Sequence, residues 1–124
     1  MSHRTTTARP AVLVVEDEPI IRMVAVDMLE EAGFDVMKAH TVDEAWGMLE
    51  REPQVDLLFT DIDMPGTLDG LALAGRVAER WPHIRLLVTS GRFALRDEDP
   101  PDDGRFLPKP YRQSQLLDAV RALP

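Results

Sequence analysis

The chemically capable residues of this chain stand just after short apolar runs. Glu16, Asp17 and Glu18 follow Ala11–Val15, and Asp61 and Asp63 follow Val55–Thr60. Thr89 and Ser90 close Ile84–Ser90, and Lys109 lies just past Arg105–Leu107. There is no cysteine, and His3, His40 and His83 show no metal-ligand spacing. An all-oxygen set suits a hard cation, and Mg²⁺ is the natural one for a site that handles phosphate. Two carboxylates ~5 Å apart repel by roughly 3 kcal/mol at an effective dielectric of about 20, so three gathered together call for a cation.

These residues can meet only if the elements bring them together. Ala11–Val15 is valine-rich and bounded by charge, as a strand buried on both faces would be. Pro19 suits a first helical turn, and Ile20, Val24 and Met28 recur at helical spacing up to Gly33. Phe34–Ala39 reads as a second strand, and Thr41 with Glu44 as a capping box for a helix to Arg51. Val55–Thr60 is a third strand, Leu71–Trp81 a helix stopped by Pro82, and Ile84–Ser90 a fourth strand. Arg105–Leu107 is a brief fifth strand, and Gln113–Leu123 a last helix with Leu116, Leu117, Val120 and Leu123 inward. Trp46 and Trp81 are expected to pack helices together. Alternating strands and helices predict a parallel sheet covered on both faces, and right-handed crossovers put every strand's carboxyl end on one edge. Ligands of such sheets bind at that edge, where the strand order reverses.

Four motifs in order make the chain resemble the receiver domain of two-component response regulators, from Val12 to about Leu123. They are Val14–Glu18, Thr60-Asp61-Ile62-Asp63-Met64-Pro65-Gly66, Val88-Thr89-Ser90-Gly91, and Leu107-Pro108-Lys109-Pro110. The resemblance implies an α/β, flavodoxin-like, doubly wound sheet of strand order 2-1-3-4-5. It also implies roles. Asp61 would be the phosphoacceptor, taking a phosphoryl group from a sensor histidine kinase or a histidine phosphotransferase. Asp17 and Asp61 would bind Mg²⁺ directly, Glu16 through water, and Asp63 through its backbone carbonyl. Thr89 and Lys109 would hold the phosphoryl group, with Thr89 and Phe106 as switch residues. Phosphoryl transfer needs alignment and charge neutralisation more than covalent assistance, which Mg²⁺ and Lys109 would provide. Taken singly, each feature has an ordinary explanation: acids complementing a helix N-terminus, a turn aspartate, a strand-end threonine, a solvated lysine. Four such features at consecutive strand ends argue for a shared role.

Two departures from the family pattern stand out. Gly66-Thr67-Leu68-Asp69 makes the loop after the phosphoacceptor one residue longer than usual. Between Gly91 and Gly104, where the family has its fourth helix, Pro100-Pro101 permits only a short helix or none. Five of the seven residues Asp97–Asp103 are acidic, which marks this segment as a solvated loop or a switch and docking element.

Composition bounds the rest. The 124 residues, 44% of them hydrophobic, fit one domain, with a disordered tail over residues 1–10 and a receiver over 11–124. A net charge of −8 disfavours nucleic acid and anionic membranes as partners. The longest apolar run, Ala11–Val15, is far short of the ~20 residues of a membrane span, and the polar start lacks a signal-peptide core. The expectation is a cytoplasmic, stand-alone receiver that acts on an unknown downstream protein. Two rivals remain: a haloacid-dehalogenase-type phosphatase, suggested by Asp61-x-Asp63, and a receiver-like binding module that is never phosphorylated. The phosphatase motif belongs on a first strand, and the intact acidic pair, Asp61, Thr89 and Lys109 weigh against the module.

Overall fold

In the computed structural model, residues 9–52, 54–63, 70–91 and 105–122 are described. They form β1 (Ala11–Val15), α1 (Pro19–Glu31), β2 (Asp35–Ala39), α2 (Val42–Arg51), β3 (Leu57–Asp61), α3 (Gly70–Arg80), β4 (Arg85–Ser90), β5 (Arg105–Pro108) and α4 (Gln113–Arg121). The strands make one parallel sheet of order β2-β1-β3-β4-β5, as expected. Four helices are present among the described residues. The expectations for the 1–8 part of the tail, the loop at 64–69, a short or absent fourth helix within 92–104 and inward Leu123 lie outside them.

The period of two along each strand divides the core. Leu13, Val15, Leu58, Leu86 and Val88 face one way and pack with Ala45 and Leu49 of α2 and Leu73 and Val77 of α3. Val12, Val14, Leu57, Phe59 and Leu87 face the other way, against Ala25 and Leu29 of α1 and Leu116 of α4. Leu117 and Val120 pack on the rim of this second cluster. With both faces covered, β1, β3 and β4 carry near-continuous apolar sequence, which is why they were the plainest to read. Trp46 of α2 does pack against Trp81, the residue just after α3. Their ring centroids lie 5.0 Å apart, and the Arg80 guanidinium sits over both while reaching Glu50 at 3.0 Å.

Boundaries shift where capping wins over pattern. Phe34 is not in β2. Its N–H donates to Leu29 O and that of Gly33 to Glu30 O, and Gly33 takes φ +99°, which closes α1 in a Schellman turn. The capping box at α2 is also displaced by one residue. Thr41 accepts from the Glu44 N–H at 3.0 Å, but the Glu44 carboxylate returns to His40, at 2.9 Å from its N–H and 2.7 Å from Nδ1. Val55 precedes β3 because its N–H is turned back to Glu52 O.

Candidate functional site at the carboxyl edge of the sheet

The ends of β1, β3, β4 and β5 converge because the strands are parallel and in register. Val15 pairs with Thr60, Asp61 with Thr89, and Ser90 with Pro108. Asp61 is the last residue of β3, 3% exposed, at the centre of the sheet. Gly70 opens α3 directly behind it, and a Cβ there would collide with the Asp61 carbonyl and crowd Thr60 Oγ1. The third strand and the helix after it meet this closely only because position 70 has no side chain.

Lys109 is the hub. Its Nζ lies 3.0 Å from both Glu16 Oε1 and Asp61 Oδ2, in a largely buried setting. The other Glu16 oxygen accepts from the Glu18 N–H at 3.1 Å, and the Arg22 guanidinium holds Glu16 O at 2.8 Å. These contacts fix the β1–α1 turn from which Asp17 projects, exposed. Asp61 Oδ1 accepts from the Asp63 N–H at 2.9 Å. One carboxylate oxygen each from Glu16, Asp17 and Asp61 lies within 4.8 Å of the other two. Such a trio of hard oxygen donors fits a divalent cation of the Mg²⁺ kind.

Thr89 carries the most telling defect. Its Oγ1 is buried and has no hydrogen-bond partner among the described residues. A buried hydroxyl left unpaired costs about 1–3 kcal/mol, so it calls for an explanation, and an absent ligand is one. Phe106 is half-buried against the α2/α3 cluster, beside Val88 in register.

Burial pushes the Glu16 carboxyl up to about 7; the Asp61 charge adds to this, and the Glu18 N–H and Lys109 oppose it. For Lys109 burial pulls downward, but its bonds and charges with Asp61 and Glu16 prevail and the pKa is raised. Partial burial, with the Glu16 charge adding to it, pushes Tyr111 up to about 12. The folded state thus holds the Glu16 proton more tightly than the unfolded chain, whose reference value is 4.5. The stability linked to that proton is complete below pH 4.5 and is lost as pH rises through about 7. Thermal unfolding of the metal-free protein should therefore show a midpoint that falls between about pH 5 and pH 8, and more gently for Glu16→Gln. Equal slopes in the two proteins would count against a raised Glu16.

The expected residues Glu16, Asp17, Asp61, Thr89 and Lys109 are thus brought to one edge, with Asp63 beside them. Sequence reasoning missed the Asp63 side chain, whose carboxylate bonds Ser90 and Gly91, and the close approach of Gly70. The sequence's one trace of the first is an aspartate and a serine near two neighbouring strand ends, each ordinary alone.

The response regulator receiver domain family matches residues 12–121. The chain is 33% identical over 115 residues to the response regulator receiver protein CpdR of Brucella abortus (strain 2308), covering 90% of this chain and 94% of that one. It is 34% identical over 119 residues to the sensor kinase CckA of the same organism, but spans only 12% of that protein. Among solved structures, a response regulator receiver protein from Sinorhizobium medicae WSM419 superposes with a TM-score of 0.84 at 28% identity, covering 93% of this chain and 94% of the other. One from Pseudomonas putida gives 0.77 at 29%, covering 92% and 97%. The phosphatase reading fails on topology as well, because Asp61 ends the third strand in sequence and not the first.

Proposed function

The chain belongs to the response regulator receiver domain family, and on that premise we propose that it takes a phosphoryl group onto Asp61 from a phosphohistidine of a partner protein. The receiver family is one of signalling phosphoacceptors rather than classical enzymes. The single observation that carries the assignment is the buried Asp61 carboxylate, tethered to Lys109 at 3.0 Å, with the unpartnered Thr89 hydroxyl beside it in register.

An Asp61 oxygen attacks phosphorus, the P–N bond to the donor imidazole breaks, and an acyl phosphate forms as the imidazole leaves. Lys109 and the Asp63 N–H hold the carboxylate still, which removes rotational freedom before the reaction. Lys109 then pairs with the new phosphoryl charge, and the Thr89 hydroxyl gains the acceptor it lacks. Asp17 and Asp61 would hold Mg²⁺ directly, Glu16 through water, and Asp63 by its carbonyl. When bound, the cation supplies charge neutralisation for the incoming phosphoryl oxygens. Inward movement of Thr89 and Lys109 would be passed to Phe106 for a downstream protein to read. No helix of the described residues is long and apolar enough to cross a membrane.

The donor has a surface to rest on. Ile20, Met23 and Val24 of α1 are 71%, 56% and 41% exposed, and they begin two residues after Glu18 at the metal-site turn. Incubation with acetyl phosphate and Mg²⁺ should add one base-labile phosphoryl group per chain. Ile20→Lys should leave that labelling intact and slow transfer from a phosphohistidine protein about tenfold, equivalent to losing about 1.4 kcal/mol of transition-state contact. Equal slowing with both donors would place the fault in the site itself and remove α1 as the docking face.

A further inference from the structure

The Asp63 carboxylate is not part of the Glu16–Asp17–Asp61 trio, and its bonds run to the end of β4 instead. Both of its oxygens lie 3.0 Å from Ser90 Oγ, and Oδ2 also accepts from the Gly91 N–H at 3.0 Å. Ser90 is buried, and its carbonyl accepts from the Lys109 N–H. The end of β3 is tied to β4 a second time by the Ile62 N–H on Thr89 O at 3.0 Å. The Asp63 side chain is thus pinned to the end of β4, while its N–H holds Asp61 Oδ1. Bonds from a hydroxyl and an amide to an ionised carboxylate are of the stronger, charge-assisted kind.

We propose that Asp63, Ser90 and Gly91 form a clasp that positions the cation site. It fixes the Asp63 backbone so that the N–H stays on Asp61 and the carbonyl stays available to the metal. Asp63 is a positioning residue in this role, acting through its own backbone and not through its charge. The inference rests on the Mg²⁺ reading given above. Coupling is reciprocal: if the clasp tightens metal binding by some factor, metal binding tightens the clasp by the same factor.

The test is Mg²⁺ titration of the full chain by amide NMR, with hydrogen exchange at Gly91. Ser90→Ala keeps every charge, yet should weaken Mg²⁺ binding several-fold. Asp63→Asn loses the charge but keeps an acceptor oxygen for the clasp, so it should bind Mg²⁺ more tightly than Asp63→Ala. Added Mg²⁺ should slow Gly91 amide exchange in the wild type and much less in Ser90→Ala. Wild-type affinity in Ser90→Ala, or equal loss in Asp63→Asn and Asp63→Ala, would reduce Asp63 to a bystander charge and overturn the proposal. A wild-type protein that binds no Mg²⁺ would overturn the metal site itself, and the clasp's role with it, which is a separate and recognisable result.

Discussion

Asp61→Asn should abolish phosphoryl incorporation, lowering the rate from acetyl phosphate by at least about a hundredfold. The carboxamide has no anionic oxygen to attack phosphorus, and its nitrogen lone pair is delocalised into the carbonyl. The fold should survive. An asparagine oxygen can still accept from the Asp63 N–H, and Lys109 keeps its ion pair with Glu16 at 3.0 Å. A stability change within about 1 kcal/mol is expected, since the change also relieves repulsion between two carboxylates on one ammonium. Intact-mass measurement of the labelled protein and a thermal melt separate the chemical loss from a folding loss. Residual labelling above a tenth of the wild-type rate would move the acceptor elsewhere.

The second large effect is on stability. Lys109→Met removes the cation that lies 3.0 Å from two buried carboxylates, while its apolar stem still fills the space beside Gly91. Breaking a buried ion pair from one side costs about 3–5 kcal/mol when the stranded charge has no escape. Here it has one, because Glu16 already holds its proton to about pH 7 and would hold it further without Lys109. Protonation leaves a neutral acid facing Asp61. We therefore expect a deficit of about 2 kcal/mol at pH 8 that shrinks as the pH falls towards 5, where Glu16 is protonated in both proteins. Denaturant unfolding at the two pH values measures it. A deficit independent of pH would mean that Lys109 contributes by packing alone.

The fold was legible because its signals are strong and local. β1, β3 and β4 are buried on both faces and so are written as apolar runs, and each run ends in the polar residues that meet at the site edge. What was less legible depends on contacts between residues far apart or on backbone geometry. Phe34 reads as strand by type, but its N–H is taken by Leu29 to close α1. Glu44 reads as the return arm of a capping box on Thr41, yet the same carboxylate finds both the N–H and the ring of His40. The site residues Glu16, Asp17, Asp61, Thr89 and Lys109 were legible as strand-end chemistry. The Asp63–Ser90 bond was not, because it joins residues 27 positions apart through side chains that each look ordinary alone. Gly70 escaped for a related reason: nothing in a single glycine tells that a carbonyl from β3 will stand where its Cβ would be.

The central claim, that Asp61 carries the phosphoryl group, is most directly tested by trapping the acyl phosphate with borohydride. Reduction converts an aspartyl phosphate to homoserine, which peptide mass spectrometry locates to a single residue. After incubation with acetyl phosphate and Mg²⁺, homoserine should appear at position 61 and at no other carboxylate, Asp17 and Asp63 included. Homoserine at either of those positions, or none at 61 in a protein that has gained a phosphoryl group, would contradict the account.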